Sequence, residues 1–196
     1  MPSVGCYNIT MSHEHKFMWY RVAKVGTRTI LNHLKECGAQ LDVEHGSSMH
    51  YPVNAVDNYF KFAFVRNPWD RLVSCWRDKV ADTNLLQADA GDPEVQKSFS
   101  NFIEFVAGLD IAKCNRHLRL QCTLVDLNMI DYLGRMENFE RDANTVFAKL
   151  GFPKKEIKRR NATPSKTGYQ EYYNDHSVSS VAEIYQKDIQ IFGYEF

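Results

Sequence analysis

The apolar residues of this chain gather in two kinds of run, and the two kinds alternate. Phe17-Met18-Trp19-Tyr20-Arg21-Val22-Ala23 is aromatic and β-branched, too short for a buried helix, and predicts a strand. Lys24, Val25, Gly26, Thr27, Arg28 and Thr29 follow, small, hydroxylated or basic, and read as a turn. Ile30, Leu31 and Leu34 then recur at helical spacing, and Cys37-Gly38 reads as the helix stop. A polar loop with His45, Gly46, Ser47, Ser48 and His50 leads to a second apolar run, Tyr59-Phe60-Lys61-Phe62-Ala63-Phe64-Val65, which ends at Arg66. Asn67-Pro68 breaks that strand, and Trp69-Asp70-Arg71-Leu72-Val73-Ser74 opens a helix with proline in a tolerated early position.

The pattern continues with a polar loop at 82–93, a helix over 98–109, a strand over 129–135 and a helix over 139–150 closed by Gly151-Phe152-Pro153. A basic segment (154–160), a loop (161–168) and a final helix over 178–192 complete the chain. Residues 1–16 carry no such run and are expected to be a flexible or peripheral N-terminus of a single domain covering residues 1–196. Strands alternating with helices predict an α/β fold with a central, mainly parallel sheet flanked by helices. Ligands of such sheets bind beyond the carboxyl ends of the strands, where Lys24 and Arg66 both fall.

Composition narrows the partners. The charge is even, 24 basic against 24 acidic residues, so neither nucleic acid nor an anionic membrane is expected as a bulk electrostatic partner. No window reaches the roughly 18–20 uninterrupted apolar residues of a membrane span, and the first residues lack a basic and apolar leader. The five cysteines, Cys6, Cys37, Cys75, Cys114 and Cys122, show no CxxC spacing and read as reduced thiols. A cytoplasmic setting follows, the alternative being a Golgi-lumen catalytic domain without its anchor. His13-Glu14-His15 lacks further ligands nearby, and no metal site is expected.

A turn between strand and helix offers backbone N–H groups and a positive helix end to an anion. Gly26 lets the backbone approach the ligand, Lys24 supplies a mobile cation, and Thr27 and Thr29 add hydroxyls. The lysine precedes the glycine, so this is not the GxxxxGK[ST] loop of nucleotide kinases. Arg66 suits bidentate recognition of a second phosphate, and Ser74, in the helix that follows, offers a hydroxyl to the same anion. Two anion sites at two strand ends suit a ligand phosphorylated in two places. A P-loop kinase or phosphotransferase, or a non-catalytic nucleotide-binding module, are the rival classes.

RVAKVGTRTI and FAFVRNPWDRLVSCWRDK together resemble the 5'-phosphosulfate loop and 3'-phosphate motif of the sulfotransferases that use 3'-phosphoadenosine-5'-phosphosulfate (PAPS), most closely the carbohydrate sulfotransferases. The resemblance continues through Asn115-Arg116-His117, Asp131–Glu137 and the terminal Tyr185…Asp188…Phe192-Gly193-Tyr194. Ala23 stands where that family often has proline, and Arg28 where its loop usually has a small residue.

The resemblance implies a P-loop-like three-layer fold and transfer of a sulfuryl group from PAPS to an acceptor hydroxyl, a glycan's in the family pattern, with 3',5'-ADP (PAP) as product and no metal. It places Lys24, Val25, Gly26, Thr27, Arg28 and Thr29 around the 5'-phosphosulfate, Arg66 and Ser74 on the 3'-phosphate, and Ser165, Lys166 and Thr167 in a loop closing over the nucleotide. It also implies a histidine base between the two motifs: His50 first, then His45, with His117 third and Glu44 or Asp78 as acidic alternatives. Tyr169, Tyr172 and Tyr173 are read either as a stacking platform or as core. Acceptor identity and oligomeric state are not encoded in any of these motifs.

Overall fold

Phe17, Met18, Trp19 and Tyr20 are completely buried, and the reason is the position of the strand they form. In the computed structural model, which describes residues 1–81, 98–153 and 168–196, a five-stranded sheet comprises β1 (Tyr7–Ser12), β2 (Phe17–Tyr20), β3 (Val43–Met49), β4 (Phe60–Val65) and β5 (Tyr132–Arg135). The spatial order is β3-β1-β2-β4-β5, so β2 is central. β2 pairs in parallel with β4, and β4 with β5, while β1 is antiparallel to both β2 and β3. Four strands therefore run one way and β1 the other. A strand covered on both faces is apolar throughout rather than alternating, as Phe62, Ala63, Phe64 and Val65 also are. In register, Trp19 lies beside Phe62, and their rings stack with centroids 6.0 Å apart.

The described residues form two compact units. The first, residues 1–65 with 121–153, holds the sheet, helix α1 (Thr27–Glu36) and helix α4 (Phe139–Lys149). Ile30 and Leu34 of α1 and Ala143 and Val146 of α4 are fully buried, and His33 lies over Phe147 with ring centroids 4.3 Å apart. The second unit, residues 66–81, 98–120 and 168–196, holds α2 (Pro68–Trp76), α3 (Phe99–Ala107), α5 (Asp175–Ile184) and α6 (Gln186–Phe192). Its fully buried Tyr185 donates to the Leu118 carbonyl at 2.8 Å.

Three expectations need correction. Residues 1–16 are not a flexible or peripheral tail. Residues 7–12 are β1, paired on both edges, with Ile9, Thr10 and Ser12 buried. The segment around His45 is not a loop but the edge strand β3. Its sequence, VEHGSSM, lacks apolar alternation because it is held mainly through its backbone, and it follows β1 with two register irregularities. Gly46 sits at one of them, where a Cβ would meet Met49 Sδ at 2.5 Å. The single terminal helix is two, divided at Tyr185. The loop at 82–93 and the basic segment lie outside the described residues. Among the described residues no helix is long and apolar enough to cross a membrane.

Candidate active site

β2 ends at Tyr20, and α1 begins at Thr27. The chain turns between them through two left-handed residues, Lys24 (φ 71°) and Gly26 (φ 74°). Glycine is required at 26 for a second reason: a Cβ there would lie 2.9 Å from the Phe139 ring. The Thr27 hydroxyl donates to the Val22 carbonyl at 3.0 Å and closes the turn on itself. Val25 is fully buried, Thr29 nearly so, and Arg28 is exposed. Gly26 offers no side chain to cap α1, and the first turn of the helix carries no acidic residue. The positive end of the helix is thus not neutralised by its own side chains. The turn fits an anionic group: a bare backbone at Gly26, a helix amino end and a lysine beside them.

The two histidines weighed as bases carry their protons on opposite nitrogens when neutral. His50 Nδ1 lies 2.9 Å from the Ser3 carbonyl. A carbonyl only accepts, so Nδ1 carries the hydrogen and the lone pair is on Nε2. His45 Nδ1 lies 2.9 Å from Arg21 Nη1, a group that only donates, so its lone pair is on Nδ1. Its Nε2–H then faces Glu44 Oε1 at 2.9 Å. Glu44 also accepts from Lys35 Nζ at 2.6 Å, and that bond, ahead of His45, holds its carboxyl below the usual range. His45 and Glu44 are therefore links in an Arg21–His45–Glu44–Lys35 chain on the strand edge.

Beside His50, Tyr51 donates to Asp126 Oδ2 at 2.8 Å and receives the Tyr20 hydroxyl at 2.8 Å. Tyr20 is the last residue of β2, so this buried chain ties the His50 segment to the strand end from which the Lys24 turn departs. Burial, then the shared hydroxyl bond, pushes the Tyr20 phenol far above its ordinary value.

The remaining predicted residues belong to the second unit. β2 and β4 are parallel neighbours, so the chain leaves both at the same edge of the sheet, and Arg66 is the first residue after β4. Its guanidinium forms a fork with Asp70, Nε to Oδ2 and Nη2 to Oδ1, both at 2.7 Å. Asn67 caps α2, accepting from the Trp69 amide at 3.0 Å, and Pro68 follows at the first helical position. Ser74 lies half-buried two turns along α2. Arg71 is almost completely buried and donates to the carbonyls of Arg119 and Arg116 at 2.9 and 3.1 Å. His117 makes a local bond to Asn115 Oδ1, and Asp78 pairs with Lys79 at 3.1 Å. Ser165, Lys166 and Thr167 lie outside the described residues.

Residues 7–195 match the profile of the Sulfotransferase family, through both units. The chain belongs to the sulfotransferase family. Carbohydrate sulfotransferase 14 of Homo sapiens is 25% identical over 199 residues, covering 86% of this chain and 49% of its own length. The Danio rerio protein of that name is 24% identical over 179 residues, covering 74% and 49%. Carbohydrate sulfotransferase 12 of Mus musculus is 25% identical over 252 residues, covering 99% and 56%. The chain spans about half the length of the curated relatives it matches. No solved structure matches it.

Several partners of the candidate residues were missed by the sequence reading. Asp70 was legible, being four residues from Arg66 on a helix. Tyr51 and Asp126 were not: 75 positions separate them, and neither lies in a motif. Ser3 carried no signal either, standing in a segment without a hydrophobic pattern. Tyr172 and Tyr173, both half-buried, pack edge-on against Phe99, and the Tyr173 hydroxyl donates to the Trp69 carbonyl at 2.9 Å, within a cluster of aromatic rings.

Proposed function

We propose that this chain transfers a sulfuryl group from PAPS to an acceptor hydroxyl on a carbohydrate, within a P-loop-like three-layer fold. The observation that carries the reading is the Lys24–Gly26 turn. A left-handed lysine and an obligatory glycine stand at the amino end of a helix with no acid in its first turn. In this reading the backbone from Val25 to Thr29 surrounds the 5'-phosphosulfate, and Arg28 adds charge from the exposed side. Lys24 neutralises charge on the departing phosphate. Arg66, aligned by Asp70, and Ser74 hold the 3'-phosphate. Sulfuryl transfer depends on in-line positioning and charge stabilisation, as phosphoryl transfer does. The acceptor oxygen attacks sulfur, the bond from sulfur to the 5'-phosphate oxygen breaks, and the acceptor's proton passes to His50 Nε2. The tautomers favour His50 over His45, whose lone pair is directed at Arg21. A carbohydrate acceptor is supported by the names of the relatives.

Thermal shift tests the donor half. PAP without magnesium raises the melting temperature strongly and AMP hardly does, because only PAP carries the 3'-phosphate. A larger shift with Mg-ATP than with PAP overturns the reading. The acceptor half is tested by mass-detected sulfation across a panel of glycan, phenol and lipid hydroxyls. Turnover only on non-carbohydrates removes the carbohydrate assignment.

A further inference from the structure

Ser3 touches the His50 segment at three points. Its amide donates to the Tyr51 carbonyl at 2.8 Å, its hydroxyl oxygen accepts from the Tyr51 amide at 3.1 Å, and its carbonyl accepts from His50 Nδ1 at 2.9 Å. The Ser3 hydroxyl donates in turn to the Gly5 carbonyl at 2.8 Å, so the one group both accepts from Tyr51 and donates to Gly5. Ser3 is 4% exposed although the residues on both sides are exposed. Pro2 bridges Pro52, and the Val53 amide donates to the Met1 carbonyl at 3.0 Å, extending the contact into a short antiparallel ladder. On the other side, Tyr51 is fixed by its hydroxyl to Tyr20 and Asp126. The backbone at 50–51 is thus clamped between the strand end that leads into the Lys24 turn and the strap formed by residues 1–3.

We infer that Ser3 is a positioning residue that sets the tautomer and orientation of His50. The inference rests on His50 acting as the base. Free histidine prefers its hydrogen on Nε2, the nitrogen that a base on this side of the ring must leave unprotonated. The bond from Nδ1 to a carbonyl reverses that preference, and which nitrogen is protonated is set by the partner of the other. Ser3 contributes this through its carbonyl, which a side-chain substitution leaves in place. The hydroxyl is what registers that carbonyl against Tyr51.

The test uses the full chain and four variants. Ser3→Ala lowers turnover about tenfold, part of the roughly 100- to 10,000-fold that a positioned base contributes. PAP affinity and melting temperature stay near wild type, and Ser3→Thr, which keeps the hydroxyl, restores turnover. Imidazole nitrogen NMR shifts give a readout independent of activity: His50 is protonated on Nδ1 in the wild type and moves toward Nε2 in Ser3→Ala. Wild-type turnover and an unchanged tautomer in Ser3→Ala overturn the role of Ser3, as does an Nε2–H tautomer in the wild type. His50→Asn, whose amide can still donate to the Ser3 carbonyl, and His50→Ala both lose turnover if His50 is the base. Wild-type activity in both removes that reading itself, whatever Ser3→Ala shows.

Discussion

Lys24 holds a φ of 71°, a region that a residue with a Cβ enters only where its surroundings keep it there. Such conformations gather at ligand sites, and in this turn the strained residue is also a cation. Lys24→Ala is expected to reduce sulfuryl transfer by at least about a hundredfold while PAP binding, measured by calorimetry, largely survives. Arg66→Ala is expected to behave differently. Losing charge-assisted bonds worth about 1.5–3 kcal/mol weakens PAP roughly ten- to a hundredfold, and unchanged PAP affinity takes Arg66 out of the site. Both assignments are read from residue identity, because lysine beside glycine and arginine at a strand end carry their chemistry with them. Tautomers were not legible: His45 and His50 look alike in the sequence, and only the arginine facing one and the carbonyl facing the other separate them.

At the scale of elements, the helices were legible wherever an apolar face is buried, as with Ile30 and Leu34 of α1 or Ala143 and Val146 of α4. β3 escaped because an edge strand held by backbone bonds needs no apolar side chains, and four of its seven residues face solvent. The join between β2 and α1 depends on Gly26. Gly26→Ala places a Cβ against Phe139 at a positive φ. It should destabilise the fold by about 1–3 kcal/mol, visible as a lower melting temperature, and weaken PAP as the turn shifts. A variant that melts and binds like wild type shows that the turn does not need glycine.

Across the described residues, buried or half-buried phenols recur in both units: Tyr20 and Tyr51 in one, Tyr185 and the half-buried Tyr173 in the other. Burial raises each of them above the ordinary 10.0, because the phenolate would lose its hydration. Below that value folded and unfolded chains are protonated alike, and the full stability is present. Above it the unfolded chain loses protons that the folded chain keeps, so stability falls as pH rises past 10.0. Thermal melts between neutral pH and that range should show the decline, and Tyr185→Phe should make it shallower; an unchanged slope in that variant discounts the tyrosine. The reversed strand β1 has a kinetic consequence. β1, β2 and β3 pair among residues 7–49, with a tight hairpin joining the first two, whereas the parallel pairings wait for β4 and for β5 at residue 132. Local pairings close first, so during synthesis the three-stranded half, with the Lys24 turn, can form while one edge of the aromatic β2 stays open until residues 60–65 emerge. Pulse-labelled hydrogen exchange should therefore find β1 and β2 protected before β5, and that open edge is where the nascent chain is most exposed to aggregation.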